Sequence, residues 1–272
     1  MKITFLGTGA TCPDLLNATS LAVQPKNHQG YLLVDTGWGG SIFRELKDCG
    51  YNPQDLEAVF LSHIHMDHSL GLPLLYSRLG NIKKVLYTDQ KLCDVLTSKN
   101  IWEMIETIIY STGSIEREPI RKNLPLINIS HKNIIRNAYG FESLEFFKTR
   151  HEKKKPGRLP TESYGIVIRS GGKKVVYPSD TVPLPITVEK ARQADLLIHE
   201  VFCPIDSKLA EKSGHFPAID VGKIAQSARV KKLVLTHFVA EFITQQEKMK
   251  EAAQRYFKGE IILSEDHLSL EI

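Results

Sequence analysis

The chain has 272 residues, a formal net charge of +4 and a pI near 8.7, with 42% hydrophobic and 24% charged residues. That is ordinary globular usage, long enough to bury a substantial core in one large domain or two small ones. The charge excess is too small to mark a nucleic-acid binder, and no run reaches the roughly 18 apolar residues of a membrane span.

In chain order, "KITFLGT" (2–8), "TSLAVQP" (19–25) and "YLLVDTG" (31–37) are short apolar runs bounded by Gly, Pro and Asn, which predicts strands. "GGSIFRELKDCG" (39–50) has helical spacing at Ile42, Leu46 and Cys49, with Gly50 in the stop position. A strand follows at 58–63, then a helix within 67–80, with Asp67 near its N-terminus. "KKVLYT" (83–88) reads as a strand, 89–99 and 101–110 as helices, and 111–135 as irregular. Strands return at 143–151, 163–170 and 173–180, the last two joined by the hairpin signal "SGGK". The remainder alternates: helix near 187–193, strand 195–202, helix 217–229, strand 231–238, helix 244–257 and two short strands. No repeat and no Pro/Gly/Ser-rich linker divides the chain, so the expectation is one α/β domain, 1–272, of two similar layered halves.

The opening "MKITFLGTGATCPD" carries no signal-peptide pattern. The four cysteines, Cys12, Cys49, Cys93 and Cys203, stand singly, as buried thiols do in a reducing compartment. A soluble, cytoplasmic protein is expected.

The densest chemistry lies in "VFLSHIHMDHSLGLPLL" (59–75), which places His63, His65, Asp67 and His68 within six positions after an apolar run. Burying four such groups without a partner is costly. His63 and His65 alternate along an extended segment and can face one site, whereas Asp67 and His68 turn a corner toward a second. Two adjacent ions suit that pattern better than one. Asp35, His151, Asp180, His199 and His237 each close another apolar run, and loops at strand ends converge on the ligand-binding rim of layered α/β folds.

These residues resemble the metallo-β-lactamase superfamily. "HIHMDH" is similar to its His-x-His-x-Asp-His signature, and Asp35, His151, Asp180 and His237 follow the family's motifs in order along the whole chain. The resemblance implies a four-layer αβ/βα sandwich with a dinuclear metal site between two sheets. One metal would take His63, His65 and His151, the other Asp67, His68 and His237, with Asp180 bridging and Asp35 orienting a ligand imidazole. Nitrogen and carboxylate donors without thiolate suit Zn²⁺, Mn²⁺ or Fe, and zinc is the expectation. A narrower resemblance, to the ribonuclease Z branch, is carried by "FLGTGATCP", "LVDTG" and the 199–238 segment with its His-Glu pair, its later histidine and Thr-His-Phe. In that branch the later histidine, here His215, gives a proton to the leaving oxygen, and the glutamate, here Glu200, holds it. Homodimers are frequent there, and 89–110 offers an apolar helical surface.

The implied activity is hydrolysis of a phosphodiester by a water that two cations make acidic, with Asp67 as both ligand and proton acceptor. Read alone, His215 is a residue capping the helix that follows, and the upstream His199-Glu200 pair brings the two readings level. The basic run "FKTRHEKKKPGR" (147–158) surrounds His151 and would favour an anionic substrate, a small phosphodiester or RNA. "GTGATC" predicts a tight turn beside the site, and Trp38 and Trp102 a place in the core. The sequence departs from tRNA-processing members in three ways. Only 28 residues separate His151 from Asp180, leaving no room for their long arm. Phe216-Pro217 replaces Ser-Thr after the later histidine, and "DLLNATS" lacks basic residues. Two other readings stay open: a hydrolase of thioester, lactone or other carbonyl substrates, and a non-catalytic nucleic-acid- or partner-binding protein.

Overall fold

In a computed structural model that describes residues 1–10, 14–83, 90–112, 116–131, 133–151 and 162–272, the short apolar runs become the strands of two sheets. The first half of the chain forms β1 (Lys2–Gly7), β2 (Ser20–Gln24), β3 (Tyr31–Val34), α1 (Ile42–Asp48), β4 (Leu56–Phe60), α2 (Met66–Ser69), α3 (Gly71–Lys83), β5 (Asp94–Thr97), α4 (Lys99–Thr112), α5 (Arg117–Asn123) and β6 (Leu126–Asn128). The second forms β7 (Ile134–Ala138), β8 (Phe141–Thr149), β9 (Ser163–Ser170), β10 (Lys173–Tyr177), α6 (Pro185–Ala191), β11 (Leu196–Glu200), α7 (Ser207–Ser213), α8 (Ala218–Ala228), β12 (Lys232–Thr236), α9 (Gln246–Gln254), β13 (Glu260–Leu263) and β14 (Ser269–Glu271).

Among the described residues the strands make two seven-stranded mixed sheets, ordered β14-β1-β2-β3-β4-β5-β6 and β13-β12-β11-β10-β9-β8-β7. Each sheet begins antiparallel and continues parallel: β1 to β3 and then β3 to β6 in one, β7 to β10 and then β10 to β13 in the other. The two halves therefore share one plan. Strand β14 returns from the end of the chain to pair with β1.

Side chains alternate across the second sheet as a period of two requires. Leu196, Ile198 and Val234 join the core between the sheets, where Phe60 packs on Phe146 at 5.4 Å between ring centroids. Leu197, Leu233 and Leu235 face the other way, into a core closed by Ala218, Val221, Ala225, Met249 and Ala253 of α8 and α9. Helices α6 and α9 contact the second sheet, α1 and α4 the first, and α3 packs on both α1 and α4. No described helix is long and apolar enough to cross a membrane.

The hairpin expected at "SGGK" is present, with Gly171 (φ +59°) and Gly172 (φ +68°) both in the left-handed region that a primed turn demands. Trp102 is buried, and among the described residues the cysteines Cys49, Cys93 and Cys203 form no disulfide. The expected helix over 89–99 is corrected: β5 occupies Asp94–Thr97, between β4 and β6. A four-residue strand buried on both faces between parallel neighbours shows no alternation to read. The stretch 111–135, expected to be irregular, contains α5, β6 and the start of β7. Lys83 ends α3, and the rest of the strand expected at 83–88 lies outside the described residues, as do Cys12 and most of the basic run after His151.

Phe60 is fully buried on the strand that leads into the histidine cluster. Phe60→Ala is expected to lower stability by about 3–5 kcal/mol, measured by equilibrium urea denaturation. A loss below about 1 kcal/mol would mean that the inter-sheet core closes around the cavity.

Candidate metal centre

The site lies where strands of both sheets end. Asp35 follows β3, His63 lies three residues past β4, and His65, Asp67 and His68 form the turn into α2 and its first residues. From the second sheet, His151 follows β8, Asp180 follows β10, Glu200 ends β11 and His237 follows β12. The backbone leaves the sheets in a left-handed conformation at Asp35 (φ +57°), Ser179 (φ +59°) and His237 (φ +62°). For residues with a Cβ this costs on the order of 1–3 kcal/mol each and persists only where surrounding contacts impose it.

All seven residues expected as metal ligands meet in one cluster, buried except for the partly exposed His65. The donor atoms of His63, His65 and His151 lie within 4.8 Å of one another, as do those of Asp67, His68 and His237. Nε2 of His151 is 2.9 Å from Nδ1 of His65. Nε2 of His68 is 3.1 Å from Nε2 of His237. Asp180 lies between the trios, its Oδ2 at 3.9 Å from His63, 3.3 Å from His68, 3.8 Å from His151 and 3.1 Å from His237, each measured to Nε2.

The orientation of the rings is set from behind. Asp35 accepts hydrogen bonds from the Ser62 amide (2.8 Å), the Ser62 hydroxyl (2.8 Å) and Nδ1–H of His68 (2.8 Å). The Ser62 hydroxyl is also 2.9 Å from Nδ1 of His63. His151 donates Nδ1–H to the Gly214 carbonyl at 2.9 Å. A carboxylate and a carbonyl can only accept, so in the neutral form of His68 and of His151 it is Nε2 that turns its lone pair on the cluster. Gly214, at φ +86°, ends α7 so close to this strand end that a Cβ there would lie 1.8 Å from the His151 carbonyl oxygen.

Burial, with repulsion from His68, holds the His63 imidazole well below its ordinary value. Burial also lowers His151, to about 4, against the pull of Asp180. For His68 burial is outweighed by Asp180, Asp67 and Asp35, which raise it well above the usual imidazole range. Burial likewise opposes ionisation of Asp67 and Asp180, but neighbouring imidazoles prevail: His68 and His237 take Asp67 to about 2, and His237 and His68 hold Asp180 well below the carboxylate range. The cluster thus keeps both carboxylates ionised.

His215 stands at the edge of the cluster, its ring 4.6 Å from that of His151 and stacked on Phe202 at 5.4 Å. Its Nδ1 is 3.3 Å from Oε2 of Glu200, an ion-pair distance out of line for a hydrogen bond. Glu200 is fixed through its other oxygen, which accepts from the amides of Thr181 (3.3 Å) and Phe216 (3.1 Å). Burial lowers the His215 pKa, but the Glu200 carboxylate outweighs it and raises the value to about 9. The helix after His215 has Pro217 at its N-cap, so His215 does not cap it.

His199, expected among the converging strand-end residues, is not in the cluster. It occupies the alternate face of β11, its Nδ1–H donating to the Glu200 carbonyl and its ring against Phe216. Trp38 is partly buried beside β3. Three contributors went unread in the sequence: Ser62, the Gly214 carbonyl and Phe202. Ser62 had a signal, being the residue beside His63 in the motif; the other two act through contacts that only the fold creates.

The donor set fits divalent metal ions. Nε2 of His63 and Oδ1 of Asp180 are buried inside the cluster without a hydrogen-bond partner. Such orphaned atoms are costly in a dry interior unless a ligand takes them. The 2.9 and 3.1 Å nitrogen–nitrogen separations also approach the tetrahedral edge of about 3.3 Å that zinc–nitrogen bonds of about 2.0–2.1 Å create.

Residues 31–238 match the family model of the β-lactamase superfamily domain. The ribonuclease Z of Archaeoglobus fulgidus is 28% identical over 305 residues, spanning 100% of this chain and 97% of the relative. That of Methanosarcina acetivorans is 27% identical over 325 residues, spanning 100% and 98%. Among solved structures, the metallo-β-lactamase fold protein YhfI from Bacillus subtilis superposes with a TM-score of 0.80 at 22% identity, covering 100% of this chain and 99% of that one. The short form of human tRNase Z gives 0.70 at 22% identity, covering 100% and 99%. These superpositions show the shared fold, the layered sandwich that the sequence resemblance implied. With most of its length inside the family match and its cluster where the two sheets end, the chain belongs to the β-lactamase superfamily.

Proposed function

We propose that residues 1–272 form one cytoplasmic, metal-dependent hydrolase domain that cleaves phosphodiester bonds. The reading draws on its ribonuclease Z relatives, and RNA is the leading substrate class. His63, His65 and His151 would hold one cation and Asp67, His68 and His237 the other, with Asp180 shared. Zinc suits these nitrogen and oxygen donors best, and manganese or iron are the alternatives. When bound, two such cations would supply Lewis acidity at a phosphoryl oxygen and lower the pKa of an attacking water.

The remaining chemistry falls to side chains. Asp67, held ionised by its neighbours, accepts and orients a proton of the attacking water. His215 carries a proton at the edge of the cluster and delivers it to the leaving oxygen. Glu200 fixes the ring and favours its charged form. The proximity of cations would draw the His215 value down toward neutrality, where a general acid works best. Lys148 is ion-paired with Glu162 at 3.7 Å, and Arg150, exposed just before His151, brings positive charge that favours an anionic substrate.

The observation that carries this reading is the His215–Glu200 pair against the cluster. An alkoxide leaving from phosphorus needs a proton, and a fixed imidazolium beside the reacting centre provides it. Purified protein is expected to contain about two metal ions per chain, measured by elemental analysis, and to hydrolyse bis(p-nitrophenyl) phosphate. Asp67→Ala should abolish that activity, and His215→Ala should lower it by about 10²–10⁴-fold. Two metals without diesterase activity would turn the assignment to carbonyl substrates. No metal after reconstitution would sink the hydrolase reading and favour a binding protein. Because imidazoles ligate only when neutral, His68, whose value is raised well above the imidazole range, must give up its proton to bind, so zinc affinity in a chelator competition should weaken progressively as pH falls from 8 to 5. Affinity that is flat from pH 8 to pH 5 would exclude His68 as a donor.

A further inference from the structure

The tail of the chain makes a connection that metal ligation alone does not explain. After β13 the Ser264 amide donates to the Leu235 carbonyl (2.9 Å), and the chain then crosses to the first sheet, where the His267 amide donates to the Phe5 carbonyl (2.6 Å). At the crossing stands Asp266. Its Oδ1 accepts from the Thr8 amide (2.9 Å) and the Thr8 hydroxyl (2.8 Å), and its Oδ2 accepts from the Asn17 amide (2.7 Å). The segment it grips, Thr8 to Ala10, is stitched to the residue after His237: the Phe238 amide donates to the Thr8 carbonyl (2.9 Å), and the Ala10 amide donates to the Phe238 carbonyl (2.9 Å). Gly9 also bridges Ala18 on its other side. His237 itself has left-handed backbone, a conformation that must be imposed from outside.

We propose that Asp266 is a positioning residue for His237: by clamping Thr8 and Asn17 it fixes the 8–10 segment, whose two hydrogen bonds to Phe238 hold the His237 backbone in its strained conformation. The inference rests on the reading of Asp67, His68 and His237 as one metal-holding trio. The other trio takes its ligands from the turn after β4 and from the end of β8, neither of which Asp266 touches. A carboxylate suits the place because all three partners donate. An asparagine would offer one acceptor and turn its own N–H groups on a backbone N–H.

The test is zinc binding to the whole metal-stripped protein, followed by competition with a chromogenic chelator. Wild type should take up two equivalents. Asp266→Asn should weaken one of them by about 10–100-fold, the range for partners that orient metal ligands, and leave the other nearly unchanged. Placed on His65→Ala, which impairs the opposite trio, it should weaken the remaining zinc. Placed on Asp67→Ala it should not. Thr8→Val, which removes only the hydroxyl bond, should give a smaller loss of the same kind and guards against an Asp266 variant that fails to fold. If both equivalents weaken alike and the thermal midpoint falls with them, Asp266 only anchors the tail and the inference is overturned. Unchanged binding of both overturns it as well. A wild type that binds no zinc overturns the reading of the site, and this inference with it.

Discussion

One carboxylate oxygen organises the molecule. Oδ2 of Asp180, a buried residue, lies within 4 Å of four imidazole nitrogens. Two of those imidazoles, His63 and His68, are contributed by the first half of the chain, and the other two, His151 and His237, by the second. Nothing apolar would hold such groups together. Their mutual repulsion and desolvation favour separation unless carboxylate charge, and then cations, compensate. The two sheets can therefore take only a spacing at which ligands from both reach a common centre. The core behind them, with Phe60 against Phe146, supplies the rigidity that keeps that spacing.

The strand ends show what this arrangement costs. Asp35, Ser179 and His237 all have left-handed backbone, although each carries a Cβ. A strand that simply ended would let the next side chain continue the alternation and point into a sheet face. The left-handed step breaks the alternation and redirects the chain at the rim. Asp35 and the residue after His237 are held by hydrogen bonds to neighbouring segments. Asp35 gives its amide to the Phe60 carbonyl at 2.8 Å, for example, while its side chain receives three donors. Strain and site share the same residues because the site is what over-determines them.

Much of this was legible in the sequence, for a physical reason. A metal-competent residue directly after an apolar run needs no knowledge of distant contacts, so the 63–68 turn, Asp35, His151, Asp180 and His237 could all be read from order alone. Residues whose roles depend on register were harder. His199 and Glu200 are adjacent and look like one unit, yet β11 sends them to opposite faces, and only Glu200 reaches the site. The short strand β5 was read as a helix because burial on both faces leaves four residues with no period. His215 could pass for a helix cap until Pro217 was seen to occupy that position. The Gly214 carbonyl and Phe202 left no local trace, since a backbone oxygen and a stacked ring act through tertiary geometry.

The charge balance of the site also bears on what it accepts. The carboxylates proposed as ligands are Asp67 and Asp180, and Asp35 stands behind His68. Two divalent cations would exceed the charge of those carboxylates, and His215 adds a proton that Glu200 only balances. A centre so loaded would be net positive within a low-dielectric wall, where charge is poorly screened. An anionic phosphodiester entering it neutralises that excess, and gains further as charge spreads onto its oxygens during attack. A neutral ester or lactone would bring no charge of its own and would gain only as its oxyanion develops. The surplus therefore favours phosphorus over carbonyl chemistry, independently of the His215 argument.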